Sequence, residues 1–465
     1  MEQGYYCNIW FYIVLYPYEH SEVNTMKTTI LLLSFILFFG CSSKQDPNYL
    51  WLVGLAQSTA AAGVGSPGAS TPNVPANPSV PSPVGPQNFT MTVSDNTGTP
   101  TDFLFDTTKT LTLDIVAYDF AERPATGALV QIGDANDPDN FTTYFQAVTN
   151  PNGNVTGSFT VNSTTSQVNL IVTYNGIQYK ALIDIKGVYG IRRSMYMIGV
   201  SQVAIIQDTD KDGVPDSEDI YPNDPTRSAK VNYPPSGYYT VSFEDLYPNQ
   251  GDADFNDYSV RVRYEEDLNA KGEVSRVRGY FQHVAKGAGY NHILRLSLPS
   301  VNASSYTLKR LSNADIQEYQ TSGSNVAFQE IEILPASNTT LSQSNTASGQ
   351  TYTLGKKAEL EVILSNPVPK TTLGAVPYDL YIYVINTKYE IHFAGKFKKA
   401  DGSDQYLDSN GFPWAVLIPG NWKWPYERVD VRKSYSGFQP WYQSKGTTNL
   451  DWYNFPNLSE VFPSN

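Results

Sequence analysis

The chain has 465 residues, of which 41% are hydrophobic, 13% aromatic and 17% charged, with a formal net charge of −13. It is too apolar for a disordered chain and, with 33 Gly and 30 Pro, too rich in turn formers for a helical one. The negative charge excludes an ordinary nucleic-acid binder, and two cysteines, Cys7 and Cys41, cannot supply a disulfide framework.

The N-terminus carries a predicted targeting segment. Residues 1–25 contain no Lys or Arg, and we expect them to be a non-native extension before the true start. Residues 26–40 combine Lys27 with a short apolar run and end in a small residue, which predicts a signal peptide. Leu37–Cys41 resembles a bacterial lipobox, and this resemblance implies that Cys41 is acylated, palmitate included. A secreted protein without lipid is the alternative.

Residues 41–87 are predicted to be a tether. Within them, residues 58–86 hold seven Pro and four Gly and no charged residue, so this stretch cannot bury a core. A lipid at Cys41 and a spacer after it place the folded part away from the membrane. We expect attachment to the bacterial outer membrane and leave open whether the protein faces the periplasm or the cell surface.

Residues 88–187 predict a β-sandwich module. Leu111, Leu113 and Ile115 share one face at period two, and Pro151–Asn154 is a turn signal between strand-like runs. About 100 residues of short strands are typical of an immunoglobulin-like or prealbumin-like sandwich. No catalytic group of residues stands out in it.

Residues 188–230 are predicted to be a connector with a calcium-binding repeat. Twelve Asp or Glu stand against three Lys or Arg in residues 208–257, which is costly unless cations neutralise them. Carboxylates fall at positions 1, 3, 5, 9 and 12 of a calcium loop, with Gly at 6 and a carbonyl at 7. The predicted ligands are Asp208, Asp210, Asp212, the Val214 carbonyl, Asp216 and Asp219. With Tyr221–Pro225 behind it, the loop resembles a thrombospondin type 3 repeat; a solvated acidic loop is the alternative.

A second acidic cluster precedes a predicted strand at Tyr258. Alternate residues of an extended segment place their side chains on one side, and Glu244 and Asp245 approach from the preceding strand. We expect a second calcium site, against the alternative of a structural carboxylate network. Its predicted ligands are Glu244, Asp245, Asp252, Asp254, Asn256 and Asp257.

Residues 231–465 predict a larger β domain. Tyr258–Glu265 and Lys357–Leu364 alternate apolar and polar residues, which is typical of antiparallel sheets packed on one side. The length favours an elaborated, jelly-roll-like β-sandwich with few short helices. One amphipathic helix is expected near Val429–Gln443, interrupted at Pro440. The predicted class of the whole chain is therefore all-β.

Several motifs of this domain resemble the LruC-domain family of bacterial lipoproteins. They are Phe243–Asp245, Asp254–Asp257, Gly287–Asn291, Glu390–His392 and Trp424–Glu427. The resemblance covers about 231–465 and implies an all-β domain of the cell envelope. A calcium-loop repeat and a preceding β module are common companions in that family, and it supplies no catalytic residues.

We predict that the chain is not an enzyme. It has neither a zinc-protease helix motif nor a nucleophile elbow. His392, two residues after Glu390, has the features of a packed structural residue more than of a catalytic one.

The clustered tryptophans leave one alternative open. Five of the seven Trp lie in the last 52 residues, where they either fill a core or, if exposed in a row, stack on sugar rings. We expect a calcium-binding, lipid-anchored envelope protein with a structural, adhesive or interaction role. Its protein or glycan partner is unknown, and no nucleic-acid partner is expected. The alternative is a glycan-binding or glycan-processing envelope protein.

Overall fold

A computed structural model describes residues 89–97, 103–135, 141–198, 207–249, 251–287, 289–298, 301–328 and 330–464. The predicted extension, signal peptide, Cys41 and tether lie outside these residues. The described part is built mainly from strands, which confirms the all-β prediction. None of its helices is long and apolar enough to cross a membrane.

Nine strands in two sheets form the first module. One sheet has the order β1-β9-β3-β6 with β2 beside β9, and the other has the order β5-β4-β7-β8. Leu111, Leu113 and Ile115 lie on one face of β3 as predicted, and all three are buried in the module's core. The strands are β1 (Phe89–Val93), β2 (Asn96–Thr97), β3 (Thr108–Tyr118), β4 (Leu129–Asp134), β5 (Thr143–Val148), β6 (Asn154–Asn162), β7 (Gln167–Tyr174), β8 (Ile177–Asp184) and β9 (Val188–Met197).

This module extends further along the chain than the sequence indicated. Strand β9 falls within the predicted connector 188–230, yet it pairs parallel to β3 and antiparallel to β1. Met195 and Met197 of β9 are buried in the module's core. The predicted boundary at residue 187 is corrected to the end of β9. The alternation was hidden because Arg193 occupies a buried position, where it pairs with Asp95.

The second domain packs two sheets on one hydrophobic core. Its larger sheet has the order β16-β15-β18-β13-β12-β11-β21 with β10 beside β12, and its smaller sheet has the order β17-β14-β19-β20. Val260 and Leu360 from the first and Leu294 and Ile382 from the second meet in that core. The strands are β10 (Ala229–Tyr233), β11 (Tyr239–Phe243), β12 (Tyr258–Leu268), β13 (Val274–Ala285), β14 (His292–Ser297), β15 (Asn302–Leu311), β16 (Gln317–Ala327), β17 (Ile331–Leu334), β18 (Lys357–Val368), β19 (Asp379–Val384), β20 (Glu390–Ile391) and β21 (Ala415–Pro419).

Four short helices complete the second domain: α1 (Ser337–Thr340), α2 (Lys370–Leu373), α3 (Val431–Ser434) and α4 (Phe438–Gln443). The predicted helix 429–443 is therefore two helices, and the break falls between Ser434 and Phe438 rather than at Pro440. Pro440 lies in the first turn of α4, where the missing N–H has no helical acceptor to lose.

Residues 422–464, which we call the C-terminal cap, share a separate aromatic core. Trp422, Trp424, Trp441 and Trp452 are each 1–2% exposed in it, and Trp414 is buried in the sheet core. The expectation that these tryptophans fill the core is confirmed. Among the described residues, none of them forms part of an exposed row.

The connector touches the first module on one side and the second domain on the other. The Gln146 side chain donates to the Glu218 carbonyl at 3.2 Å, and the Tyr221 hydroxyl donates to Asp267 at 2.9 Å. The modules also meet directly, where the Val148 N–H donates to the Ala270 carbonyl at 2.8 Å. The connector therefore lies beside the contact between the first module and the second domain.

Candidate metal centres

The connector loop folds Asp208, Asp210 and Asp212 around one point. Each offers a carboxylate oxygen, and these oxygens lie within 4.8 Å of one another. Lys211 and Gly213 have left-handed backbones, with φ of 65° and 99°, which tighten the turn between the carboxylates. Their N–H groups donate to Asp208 at 2.7 and 3.0 Å, so the chain curls around that side chain.

Three carboxylate oxygens of this loop are buried without a hydrogen-bond partner. They are one oxygen each of Asp210, Asp212 and Asp219. Burial raises the pKa of Asp219 to about 6, and the charges of Asp212, Asp210 and Asp208 add to the shift. Burial and the charges of Asp210 and Asp208 also raise the pKa of Asp212. Acceptors that face each other without donors are what a bound cation satisfies.

One of the predicted loop ligands, Asp216, forms hydrogen bonds within the loop. Both Asp216 oxygens accept from Thr209, one from its N–H and one from its hydroxyl, each at 2.7 Å. These bonds lower the pKa of Asp216 and close the loop. The Val214 side chain is fully buried, and its N–H donates to Asp212 at 2.8 Å. Its carbonyl stays a predicted ligand.

The second cluster, which we call the buried cluster, gathers carboxylates from separate segments. Glu244 follows β11 and Asp257 precedes β12, and together with Asp254 they form one group with oxygens within 4.8 Å. Asp252, Asp254 and Glu427 form a second such group, which shares Asp254 with the first. Glu244, Asp254 and Asp257 are 0–4% exposed, whereas the connector loop is mostly half-exposed.

Local turns aim these side chains inward. Ala253 and Phe255 have left-handed backbones, with φ of 59° and 53°, and Phe255 is held by stacking on Phe412 at 5.3 Å. The Phe255 N–H donates to Glu244, and the Asn256 N–H donates to Asp254 at 3.1 Å. One oxygen each of Glu244 and Asn256 stays buried without a partner.

The electrostatics of the buried cluster favour a cation or bound protons. Burial, then the nearby charge of Asp254, raises the pKa of Glu244 well above its usual range. Burial and Asp252 raise the pKa of Asp254 to about 8, and Asp257 is shifted in the same direction by burial and Glu244. Within the described residues, no Lys or Arg forms an ion pair with these three carboxylates.

Asp245 sits beside the buried cluster rather than in either group. One of its oxygens bonds the Nε2 atom of His292 at 2.9 Å, and the other is buried without a partner. The Asp245 N–H donates to Asp257 at 2.9 Å, which ties the histidine pair to the cluster.

The other two histidines of the second domain have structural partners. His283 bonds Thr340 at 2.7 Å and the Ala285 carbonyl at 2.9 Å, and burial lowers its pKa to about 3, so the ring is neutral. His392 bonds Asp379 at 2.8 Å and stacks on Tyr381 at 4.1 Å, while its other nitrogen is 3.7 Å from Glu390.

Glu427 is the site residue that sequence reasoning missed. It lies far along the chain from Asp252 and Asp254, so no local spacing connects it to them. Its signal was its place at the end of Trp424–Glu427, one of the motifs on which the predicted LruC resemblance rests.

Comparison with known proteins gives two similarities. Residues 272–453 match the family model described as "Domain of unknown function (DUF4842)". The chain is similar to that family there. Among solved structures, a candidate lipoprotein from Bacteroides ovatus is 14% identical, with 72% of this chain and 98% of that chain covered and a TM-score of 0.45. No curated protein matches the chain significantly.

The matched family residues contain Glu427 but neither the connector loop nor residues 244–257. The LruC and thrombospondin resemblances stay predictions, as do calcium binding and the absence of enzyme activity.

Proposed function

We propose that this chain is a calcium-binding, lipid-anchored protein of the bacterial cell envelope with a structural, adhesive or interaction role. The observation that carries calcium binding is the connector loop, where buried oxygens of Asp210, Asp212 and Asp219 have no donor. Their loop also has the spacing of calcium ligands.

The ligand chemistry of the loop favours calcium over transition metals. Calcium takes six to eight oxygens at about 2.3–2.6 Å, so oxygens on opposite sides of one ion are about 5 Å apart. The oxygens of Asp208, Asp210 and Asp212 lie within 4.8 Å of one another, and the group contains no His or Cys. Extracellular calcium modules bind at about 0.1–1 mM, which suits an envelope protein.

The proposed role follows from the position of the loop. Glu218 contacts the first module through Gln146, and Tyr221 contacts the second domain through Asp267. An ion that fixes the loop therefore stiffens the junction between the modules. The predicted lipid at Cys41 and the tether then hold a rigid pair of β modules at the envelope, available to a partner. The glycan alternative is not carried forward, because the clustered tryptophans are buried.

Calcium titration of the full chain by calorimetry, with thermal unfolding in chelator and in millimolar calcium, tests this proposal. Asp210→Asn should remove one bound ion. Asp401→Asn is the matched control, because Asp401 also accepts an N–H two residues ahead, from Ser403 at 2.9 Å. A melting temperature unchanged by calcium, or the same number of bound ions in Asp210→Asn as in the control, contradicts the loop assignment.

A further inference from the structure

The buried cluster gathers its carboxylates around two points rather than one. Its two carboxylate groups, Glu244-Asp254-Asp257 and Asp252-Asp254-Glu427, each fit within 4.8 Å and share only Asp254. Two further acidic side chains therefore lie on each side of a common residue, which is the layout of two neighbouring metal positions.

Each group is accompanied by a fully buried oxygen without a hydrogen-bond partner. In the first group it belongs to Glu244, which is 0% exposed. Beside the second group it belongs to Asn256, also 0% exposed. A Cβ atom on Gly287 would lie 2.2 Å from this Asn256 oxygen and 3.0 Å from a Glu427 oxygen, so both oxygens converge where only glycine leaves room. Buried acceptors of this kind are costly unless something binds them.

Asp254 has the capacity to bridge two ions. One of its oxygens accepts the Asn256 N–H at 3.1 Å and the other accepts the Arg428 N–H at 2.8 Å. A carboxylate oxygen has two lone-pair sites, so each Asp254 oxygen keeps one for a cation.

The charge of the cluster also exceeds what one ion neutralises. Five carboxylates meet here, and a single divalent ion would leave three negative charges in a largely buried site. A second divalent ion leaves one. Protonation of the carboxylates would also reduce this negative charge, and the experiment below distinguishes bound protons from bound metal ions.

We infer that the buried cluster binds two calcium ions bridged by Asp254, and that Glu427 ligates the second ion and so fastens the C-terminal cap to the sheet domain. This inference rests on the proposed function only in that both require calcium. The cap already meets the cluster at two points: Asn256 donates to the Pro425 carbonyl at 3.1 Å, and Arg428 donates to Asp254. Glu427, the proposed metal ligand, lies between Pro425 and Arg428 in the chain.

The test counts the calcium bound by the full chain after equilibration in millimolar calcium. We expect three ions in the natural protein, one in the connector loop and two in the buried cluster. Asp254→Asn should lose two and Glu427→Gln one, because Gln keeps the acceptor for the Thr346 hydroxyl but not the charge. Glu460→Gln, a change of the same kind elsewhere in the cap, should retain three.

The connector variant Asp210→Asn/Asp212→Asn distinguishes the two proposals. If it loses one ion while Asp254→Asn loses two, both stand. If it keeps every ion and Asp254→Asn still loses two, the loop assignment fails and the buried pair stands. If the natural protein binds one ion that Asp254→Asn retains, the buried cluster holds protons instead and the inference is overturned. Full retention by Glu427→Gln overturns the role of Glu427.

A measurement on the natural protein does not depend on whether the Asp254→Asn variant folds. Crystals of the natural protein soaked in Mn²⁺ should give two anomalous peaks beside Asp254, one towards Glu244 and one towards Glu427. A single peak, or none, overturns the two-ion inference whatever the variants do.

Discussion

The connector loop and the buried cluster bring together similar side chains in opposite ways. The loop draws Asp208–Asp219 from one turn of chain, and its carboxylates are mostly half-exposed. The buried cluster takes Glu244, Asp252–Asp257 and Glu427 from three segments and buries most of them. The loop should tolerate the absence of its ion better, because water reaches more of its carboxylate surface, whereas the buried cluster depends on what neutralises it.

The largest expected effect is that calcium stabilises the protein mainly through the buried cluster. At an ion concentration 100 times the dissociation constant, each site adds about 2.7 kcal/mol to the free energy of unfolding. Two buried ions therefore add about 5 kcal/mol, which Asp254→Asn should abolish, whereas Asp210→Asn should abolish about half as much. Chemical unfolding with and without chelator measures both. An equal loss in the two variants would remove the contrast between the regions.

Glu244→Gln should change the stability of the protein in opposite directions without and with calcium. In chelator the variant should be more stable than the natural protein by about 1–3 kcal/mol, because Gln needs neither a buried charge beside Asp254 nor the proton that would neutralise it. Gln also keeps an acceptor for the Phe255 N–H. In calcium the same variant should be less stable, since a ligand is lost. Unfolding curves in both conditions test this, and destabilisation in chelator would contradict the repulsion among the buried carboxylates.

The difference between a local site and one assembled by the fold also explains which features could be predicted from the sequence. The grouping of Asp208, Asp210 and Asp212 could be predicted by spacing, because one turn of backbone decides their geometry. The period-two alternation at Leu111 and Val260 identified strands for a similar reason. Glu427 was not linked to Asp254, because only the fold brings the cap beside the loop before β12. Strand β9 was hidden by a buried arginine, since Arg193 pairs with Asp95 in a position where an apolar residue is expected.

Lower pH should weaken the buried cluster more than the connector loop. Burial and like charges raise the pKa of Asp254 to about 8 and that of Asp219 to about 6. Without calcium the folded protein then holds protons that the unfolded chain releases near pH 4, so metal-free stability falls as pH rises from 4 towards 8. Calcium must displace those protons, so its affinity rises with pH over that range.

Between pH 8 and pH 6 we expect the buried affinity to drop by about tenfold per pH unit for each proton displaced. The loop affinity should change mainly below pH 6. Calorimetric titration of Asp210→Asn reports the buried cluster alone, and Asp254→Asn reports the loop. Identical pH profiles in the two variants would contradict the difference in burial on which the comparison depends.

The smallest expected effect tests whether the loop acts on the second domain. Tyr221→Phe removes the hydroxyl bond to Asp267 but keeps the ring under Arg227, which lies 4.3 Å from the ring centre. The variant should lose about 0.5–1.5 kcal/mol of unfolding free energy while the bound calcium stays constant, because the hydroxyl joins the loop to a buried carboxylate and touches no proposed ligand oxygen. Tyr319→Phe is the control, since Tyr319 also lies under an arginine, Arg310, on the outermost pair of strands. If Tyr221→Phe instead released the loop ion and the control did not, the loop and the second domain would be coupled more tightly than one hydrogen bond allows.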